Sequence, residues 1–211
     1  MTDLGVVVDC DLTFSIHISG VVSRAKQRCI LILKSFQSRD INLLIFAYIT
    51  YIRPILEYCS DIWSPAKLSE IDLLEGVQRY YTKRLLDLWN TSYPDRLVVC
   101  NIQSLELRRL MIDLTLVYKI VHKLVCLEFE SFFVLNTNNR TRGHNFKLCL
   151  PRCNSKKRQN FFAIRIIPAW NSLPVESVNA VSINSFRRSL DSINFAPFLS
   201  RAHDRFMDDL I

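Results

Sequence analysis

With 211 residues, 49% of them hydrophobic, the chain carries enough apolar material for one large or two small packed domains. That content argues against disorder, and only four glycines argue against a glycine-turned β-sandwich, leaving a mostly helical fold as the expectation. The net charge of +7 is local: between Ser131 and Val175 there is no Asp or Glu, while Arg140, Arg142, Lys147, Arg152, Lys156, Lys157, Arg158 and Arg165 stand there, and the rest of the chain holds 19 basic against 20 acidic residues.

The opening "LGVVVDCDLTF" is β-branched and alternates, which predicts a strand or hairpin around a turn at Asp9–Asp11. From Ile16 the period becomes three to four. Ile18, Val22, Ala25, Cys29, Leu33 and Phe36 line one face, and Arg24, Lys26, Arg28 and Lys34 fall mostly off it. Ser38 or Asp40 is placed to cap the next helix. That helix, "INLLIFAYITYI", is apolar nearly all round and predicts a central, deeply buried element. It runs only from Ile41 to Ile52, short of the ~20 residues that a membrane span needs. Pro54 kinks or ends it, because proline has no N–H and clashes with the preceding turn.

"ILEYCSDIW" continues to Trp63, and Ser64–Pro65 marks a turn or a fresh helix start. A third helix is expected from Ser69 to Leu88, with Ile71, Leu74, Val77, Tyr81, Leu85 and Leu88 inward and Arg79, Lys83 and Arg84 elsewhere. "NTSYPDRL" reads as a loop. The strongest helix follows from Ser104, its cap, to Leu124, with a stripe of Leu107, Leu110, Leu114, Val117, Val121 and Leu124. "NTNNRTRGHN" is a polar loop and the expected domain boundary. "FKLCLPRC" suggests a short strand, "NSKKRQN" a turn, and Ser182 to Ile193 a last helix.

The chemistry-bearing residue types do not assemble a familiar catalytic motif. Asp9 and Asp11 have a spacing that can hold Mg²⁺, but the same pair serves as ordinary turn residues. His144, Cys149 and Cys153 suggest zinc, yet H-x4-C-x3-C is not a structural-zinc spacing and a fourth ligand is wanting; half-buried thiols are the default. His17 and His122 lie beside apolar helix faces. No Ser–His–Asp set, phosphate-cradling glycine loop or paired carboxylate stands out, so no catalytic residue, metal or cofactor is expected. The seven cysteines are scattered and odd in number, and the N-terminus lacks the basic region of a signal peptide. Both features suggest reduced thiols in an intracellular protein, in cytoplasm or nucleus.

The eight cations have three readings. A single-sign field suits a polyanion such as nucleic acid; a solvated loop or an acidic protein or membrane surface is the alternative. Phe161, Phe162 and Trp170 interleave with the field and offer faces for stacked bases, or serve as core.

Several phrases occur together in one order: "LGVVVDCDLTFSIHI", "YIRPILEYCSDIW", "IDLLEGVQRYYTKRLL", "YPDRL", "QSLELRRLMIDLTLVYKI", "FFAIRIIPAWNSLP" and "SINSFRRSL". In that order and spacing, from Leu4 to about Leu190, they resemble the carboxy-terminal part of the reverse transcriptase of jockey-like non-LTR retrotransposons. The resemblance implies an end-of-palm β-hairpin over 1–15, a helical thumb-like domain over 16–133, and a basic post-thumb extension over 134–211. It implies a mainly α fold: a thumb-like bundle with a short N-terminal hairpin and a small helical or hairpin extension. The thumb of such a protein packs along the template–primer duplex, so RNA or an RNA–DNA duplex is the implied partner. The family's aromatic-x-Asp-Asp palm site is not in this sequence, so the expectation is a non-catalytic fragment of an RNA-directed DNA polymerase. "PAWNSLP" is expected to dock Trp170 into a core and end a helix, with the cations before it facing nucleic acid. A helical protein-interaction module, an inert element fragment, and self-association through a bare N-terminal strand remain the other expectations.

Overall fold

The computed structural model describes residues 1–136 and 143–201. It is mainly helical and opens on an antiparallel pair, β1 (Thr2–Asp3) and β2 (Val6–Val7). The helices are α1 (Ser15–Ser35), α2 (Ile41–Tyr51), α3 (Arg53–Glu57), α4 (Ser60–Trp63), α5 (Leu68–Thr82), α6 (Tyr93–Val99), α7 (Leu105–Val121), α8 (Lys156–Gln159), α9 (Phe162–Arg165), α10 (Ile167–Asn171), α11 (Val175–Val178) and α12 (Ile183–Leu190). Among the described residues no helix is long and apolar enough to cross a membrane.

The chain divides into two units, Met1–Arg109 with the segment from Ser200, and Leu110–Leu199. The division falls inside α7 and not after Phe133. Side chains of α7 explain it. Arg108 forks onto Glu57 and Glu106 takes the Ser200 and Arg201 amides, all in the first unit. Asp113 pairs with Arg165, and the Tyr118 hydroxyl donates to the Ala180 carbonyl at 2.6 Å, all in the second.

In the first unit the hairpin turns at Leu4–Gly5, five residues earlier than the expected Asp9–Asp11. Leu4 and Gly5 have φ of 43° and 83°, the left-handed pair that a two-residue hairpin loop requires. Asp9 instead folds the loop before α1. Its carboxylate accepts from the amides of Asp11, Thr13 and Phe14 and from the Thr13 hydroxyl, and the Thr13 amide foremost holds its pKa below the usual range.

α1 buries Ile18, Val21, Val22, Ala25, Cys29 and Ile32, close to the stripe read from spacing. Leu33 and Phe36 are only half-buried, since Ile32 takes the inward position at the end of the helix. Asp40 caps α2 by accepting from the Leu43 amide at 2.7 Å.

α2 corrects the expectation of a central helix. Leu44, Ile45, Ala47 and Tyr48 are buried, but Leu43, Phe46 and Tyr51 are exposed, Phe46 at 65%. An all-apolar sequence has no polar face to announce which side meets water. The helix yields to α3 at Ile52–Arg53, and Pro54 sits in the first turn of α3, where its missing N–H costs nothing.

A buried polar chain ties α2, α5, α6 and α7. The Tyr48 hydroxyl donates to Gln78 Oε1 at 2.6 Å; Gln78 Nε2 donates to the Tyr93 hydroxyl at 3.0 Å and the Gln103 carbonyl at 2.9 Å. Tyr93 in turn donates to Glu75, which also accepts the Leu105 amide. Burial foremost pushes both tyrosine hydroxyls far above their ordinary pKa, so they act as donors throughout the accessible range. "YPDRL" is helical, as α6, against the loop expected there. Ser92 accepts from the Asp95 amide and Pro94 lies in the first turn, a capped start on a helix too short to show a period.

The second unit is built around Trp170, Tyr118, Phe186 and Phe195, all essentially inaccessible to solvent. Tyr118 stacks on Phe186 with centroids 4.4 Å apart. The expected strand near "FKLCLP" reduces to a single bridge, Leu135 to Leu148. Asn171 closes its other side: Leu148 N–H donates to Oδ1 and Nδ2 donates to the Leu148 carbonyl, both at 2.8 Å. One amide side chain thus replaces a neighbouring strand.

Candidate nucleic-acid interface

Ser155 accepts from the Arg158 amide at 3.2 Å and starts α8, so "NSKKRQN", expected as a turn, holds one helical turn. Every residue from Asn154 to Phe161 is exposed, including Lys156, Lys157 and Arg158. Arg152 is exposed just before it, and Gln159 Nε2 anchors the segment by donating to the Cys153 carbonyl at 3.2 Å. No ion pair recorded among the described residues involves Arg152, Lys156 or Arg158. Lys147 is half-buried, with the end of its side chain, Cε and Nζ, lying over Gly143. Arg140 and Arg142 lie outside the described residues.

Arg165 differs from the other cations. Its Nε and Nη2 donate to the two oxygens of Asp113 at 3.0 and 3.2 Å, and Nη1 donates to the Asn160 carbonyl at 3.0 Å. Asp113 is buried. This fork uses the paired N–H edge of the guanidinium that a phosphate would need, so Arg165 braces α9 against α7.

The aromatic residues divide as well. Phe162 is buried edge-on against Phe133, and Trp170 is fully buried with its indole N–H donating to the Phe146 carbonyl at 2.8 Å. Phe161 alone of the three is exposed. "PAWNSLP" therefore does what the sequence suggested of it: Trp170 fills the core and α10 ends at Asn171.

The other candidate clusters do not assemble. His144 is buried, with Nε2 against the Trp170 carbonyl at 3.1 Å, while Cys149 and Cys153 turn to the carbonyls of Leu135 and Pro151. Among the described residues no group of three His, Cys, Asp or Glu side chains is gathered as a metal would require. His17 accepts the Val7 amide at Nδ1 (3.2 Å) and packs edge-on to Trp63. That bond occupies an outward amide of β2, on the edge where strand-to-strand self-association was expected.

Sequence reasoning missed a second basic surface, in the first unit. Arg79, Lys83, Arg84, Trp89 and Arg96 line an open groove of about 760 Å³. The signal was present as "RYYTKRLLDLW", but only the turn after Thr82 brings Trp89 back beside α5.

No protein-family model matches the chain, and no solved structure matches it. A Caenorhabditis elegans protein described as "Uncharacterized protein B0403.1" is 32% identical over 114 residues, 53% of this chain. The matched region spans 58% of that protein's length.

Proposed function

We propose that this chain grips nucleic acid through phosphates, without reading bases, as the thumb and post-thumb extension of a jockey-like non-LTR retrotransposon reverse transcriptase would. The observation that carries this reading is α8, where Lys156, Lys157 and Arg158 are all exposed in a stretch free of acids from Ser131 to Val175. Cations on one short turn cannot enter a groove and address base edges, but they can follow a backbone. Arg152, exposed just before α8, extends the surface, and Lys147, Arg140 and Arg142 belong to the same stretch of sequence. RNA or an RNA–DNA duplex is the partner in this reading, which places the protein in cytoplasm or nucleus. Binding, and not catalysis, is the role assigned to these residues.

The test is salt dependence. With three to five cations engaged, the log–log slope of duplex affinity against salt is expected at about −3 to −4.5. Lys156→Glu, Lys157→Glu and Arg158→Glu together should weaken binding uniformly across sequences and flatten the slope, with helix content unchanged. An unaltered affinity would remove α8 from the interface.

A second reading rests on the apolar residues exposed on α1 and α2: Ile30, Leu31, Leu43, Phe46 and Tyr51. They suit a helical module that joins protein partners or a second copy of itself. Association that is insensitive to salt, without affinity for either single strand or duplex, would favour it over the first.

A further inference from the structure

We propose that the groove walled by α5, α6 and the turn between them binds an unpaired nucleotide, with its base on Trp89 and its phosphate between Lys83 and Arg84. This goes beyond the phosphate-tracking surface on α8, from which it differs in residues and in the form of nucleic acid it takes.

Four cations, Arg79, Lys83, Arg84 and Arg96, line the groove, and no carboxylate does. Its volume of about 760 Å³ lies in the range of small-molecule sites. Arg84 and Arg96 are held in place. The Arg84 guanidinium lies 3.4 Å from the Tyr80 ring centroid, and its Nη1 donates to the Tyr80 carbonyl at 3.0 Å. Arg96, only 6% exposed, donates to the Thr82 hydroxyl at 3.1 Å and the Thr91 carbonyl at 2.6 Å, and its Cζ lies 5.4 Å from the Tyr93 centroid. Those bonded partners are neutral. A guanidinium so far desolvated keeps its charge, and an anion in the groove would offset the cost of burying it. Arg79 is shared with Asp72 at 3.5 Å, so Lys83 and Arg84, both exposed, are the phosphate ligands of choice.

Trp89 supplies what an acidic peptide would not need. It is 65% exposed on the rim of the groove, a large apolar face left in water beside a field of cations. Base stacking on such a ring is tolerant of sequence and requires an unpaired base. Gly76 opens the floor: a Cβ built there meets nothing within 4 Å.

The test uses the full chain and its own fluorescence. Trp63 and Trp170 are 1% and 0% exposed, so Trp89 is the solvent-facing indole. A short oligothymidylate should quench its emission saturably, and a blunt duplex at equal phosphate concentration should not. Gly76→Glu fills the open floor with a negative side chain and should weaken oligothymidylate binding about tenfold or more. Should that variant lose helix content, Lys83→Glu with Arg84→Glu provides the same reading from two exposed positions. The triple reversal on α8 should leave the quenching amplitude unchanged, while duplex affinity falls if the α8 reading holds. The proposal is overturned by absence of quenching, by quenching that survives both groove variants, or by equal quenching with a polyglutamate peptide, which would make the groove a protein site. Loss of duplex binding bears only on α8, so the two readings fail separately.

Discussion

The two units each bury a tryptophan beside a histidine and carry a set of cations, but they secure those cations differently. In the first unit Arg84 and Arg96 are clasped by aromatic rings, a hydroxyl and carbonyls around an open groove. In the second, Arg165 is forked onto a buried carboxylate while Lys156, Lys157 and Arg158 stand on an exposed turn. A buried ion pair thus sets Arg165 apart from the exposed cations of α8. Position in a basic run does not make that distinction; a carboxylate 52 residues away does.

The strongest way to break this comparison is to remove that carboxylate. Asp113→Ala leaves Arg165 without its counter-charge in a largely buried setting, and is expected to cost about 3 kcal/mol. For a chain of this length that lowers the melting temperature by roughly 6–12 °C. Alanine at Lys156, Lys157 or Arg158 should each stay within about 0.5 kcal/mol. Thermal denaturation of the four variants decides it: equal, small shifts would mean that the Arg165 pair contributes no more to stability than the exposed cations of α8.

A second comparison concerns the amide side chains that close each unit. Gln78 is fully buried and bonds Tyr48, Tyr93 and the Gln103 carbonyl. Asn171 is half-buried and clamps both backbone groups of Leu148. Gln78→Ala should cost about 2–3 kcal/mol, because it leaves buried donors and acceptors unpaired. Asn171→Ala should cost about 1–2 kcal/mol, since water can reach part of that site. Denaturant midpoints test the order, and a costlier Asn171 variant would reverse it.

Long periodic helices were legible in the sequence, and so were their caps. α1, α5 and α7 show enough turns for a stripe to emerge, although α5 ends at Thr82 and not at Leu88, and Asp40 and Ser104 accept the amides expected of them. α6 and α8 were not legible, because seven and four residues give too little period. Their Ser92 and Ser155 caps were the surviving clue. The hairpin turn was misplaced because two turn signals compete, and Gly5 supplied the positive φ that decided it. Of the candidate site, the exposed cations of α8 were read from charge alone. The pairing of Arg165 and the groove around Trp89 depend on tertiary proximity, which no local pattern encodes.

A smaller effect follows from Gly76. It lies inside α5, and a methyl group there meets open space. Gly76→Ala should therefore stabilise the protein by about 0.5–1 kcal/mol through helix propensity. A rise in melting temperature with oligothymidylate binding retained would support an open floor. Destabilisation would show that the glycine is needed for close packing, and that the groove is narrower than described.

The smallest expected effect is read in acid, and it contrasts the two buried histidines. Burial foremost holds both His17 and His144 below the ordinary value of 6.5, with Arg24 and Lys147 respectively adding to it. A depressed folded pKa means that stability is full above 6.5 and falls as the pH drops from there through the folded value, because the unfolded chain takes up the proton first. The local consequences differ. His17 Nδ1 accepts the Val7 amide, so a proton there abolishes the bond that holds β2 to α1. His144 faces the Trp170 carbonyl with Nε2, which must already carry its hydrogen, so a proton at Nδ1 leaves that bond intact. Amide exchange should therefore show Val7 losing protection as the pH falls below 6.5, ahead of the amides around Trp170. His17→Phe should remove that pH dependence, leaving Val7 exposed to exchange at every pH. Simultaneous loss of protection in both units would mean that global unfolding, and not the His17 contact, governs the response of the hairpin.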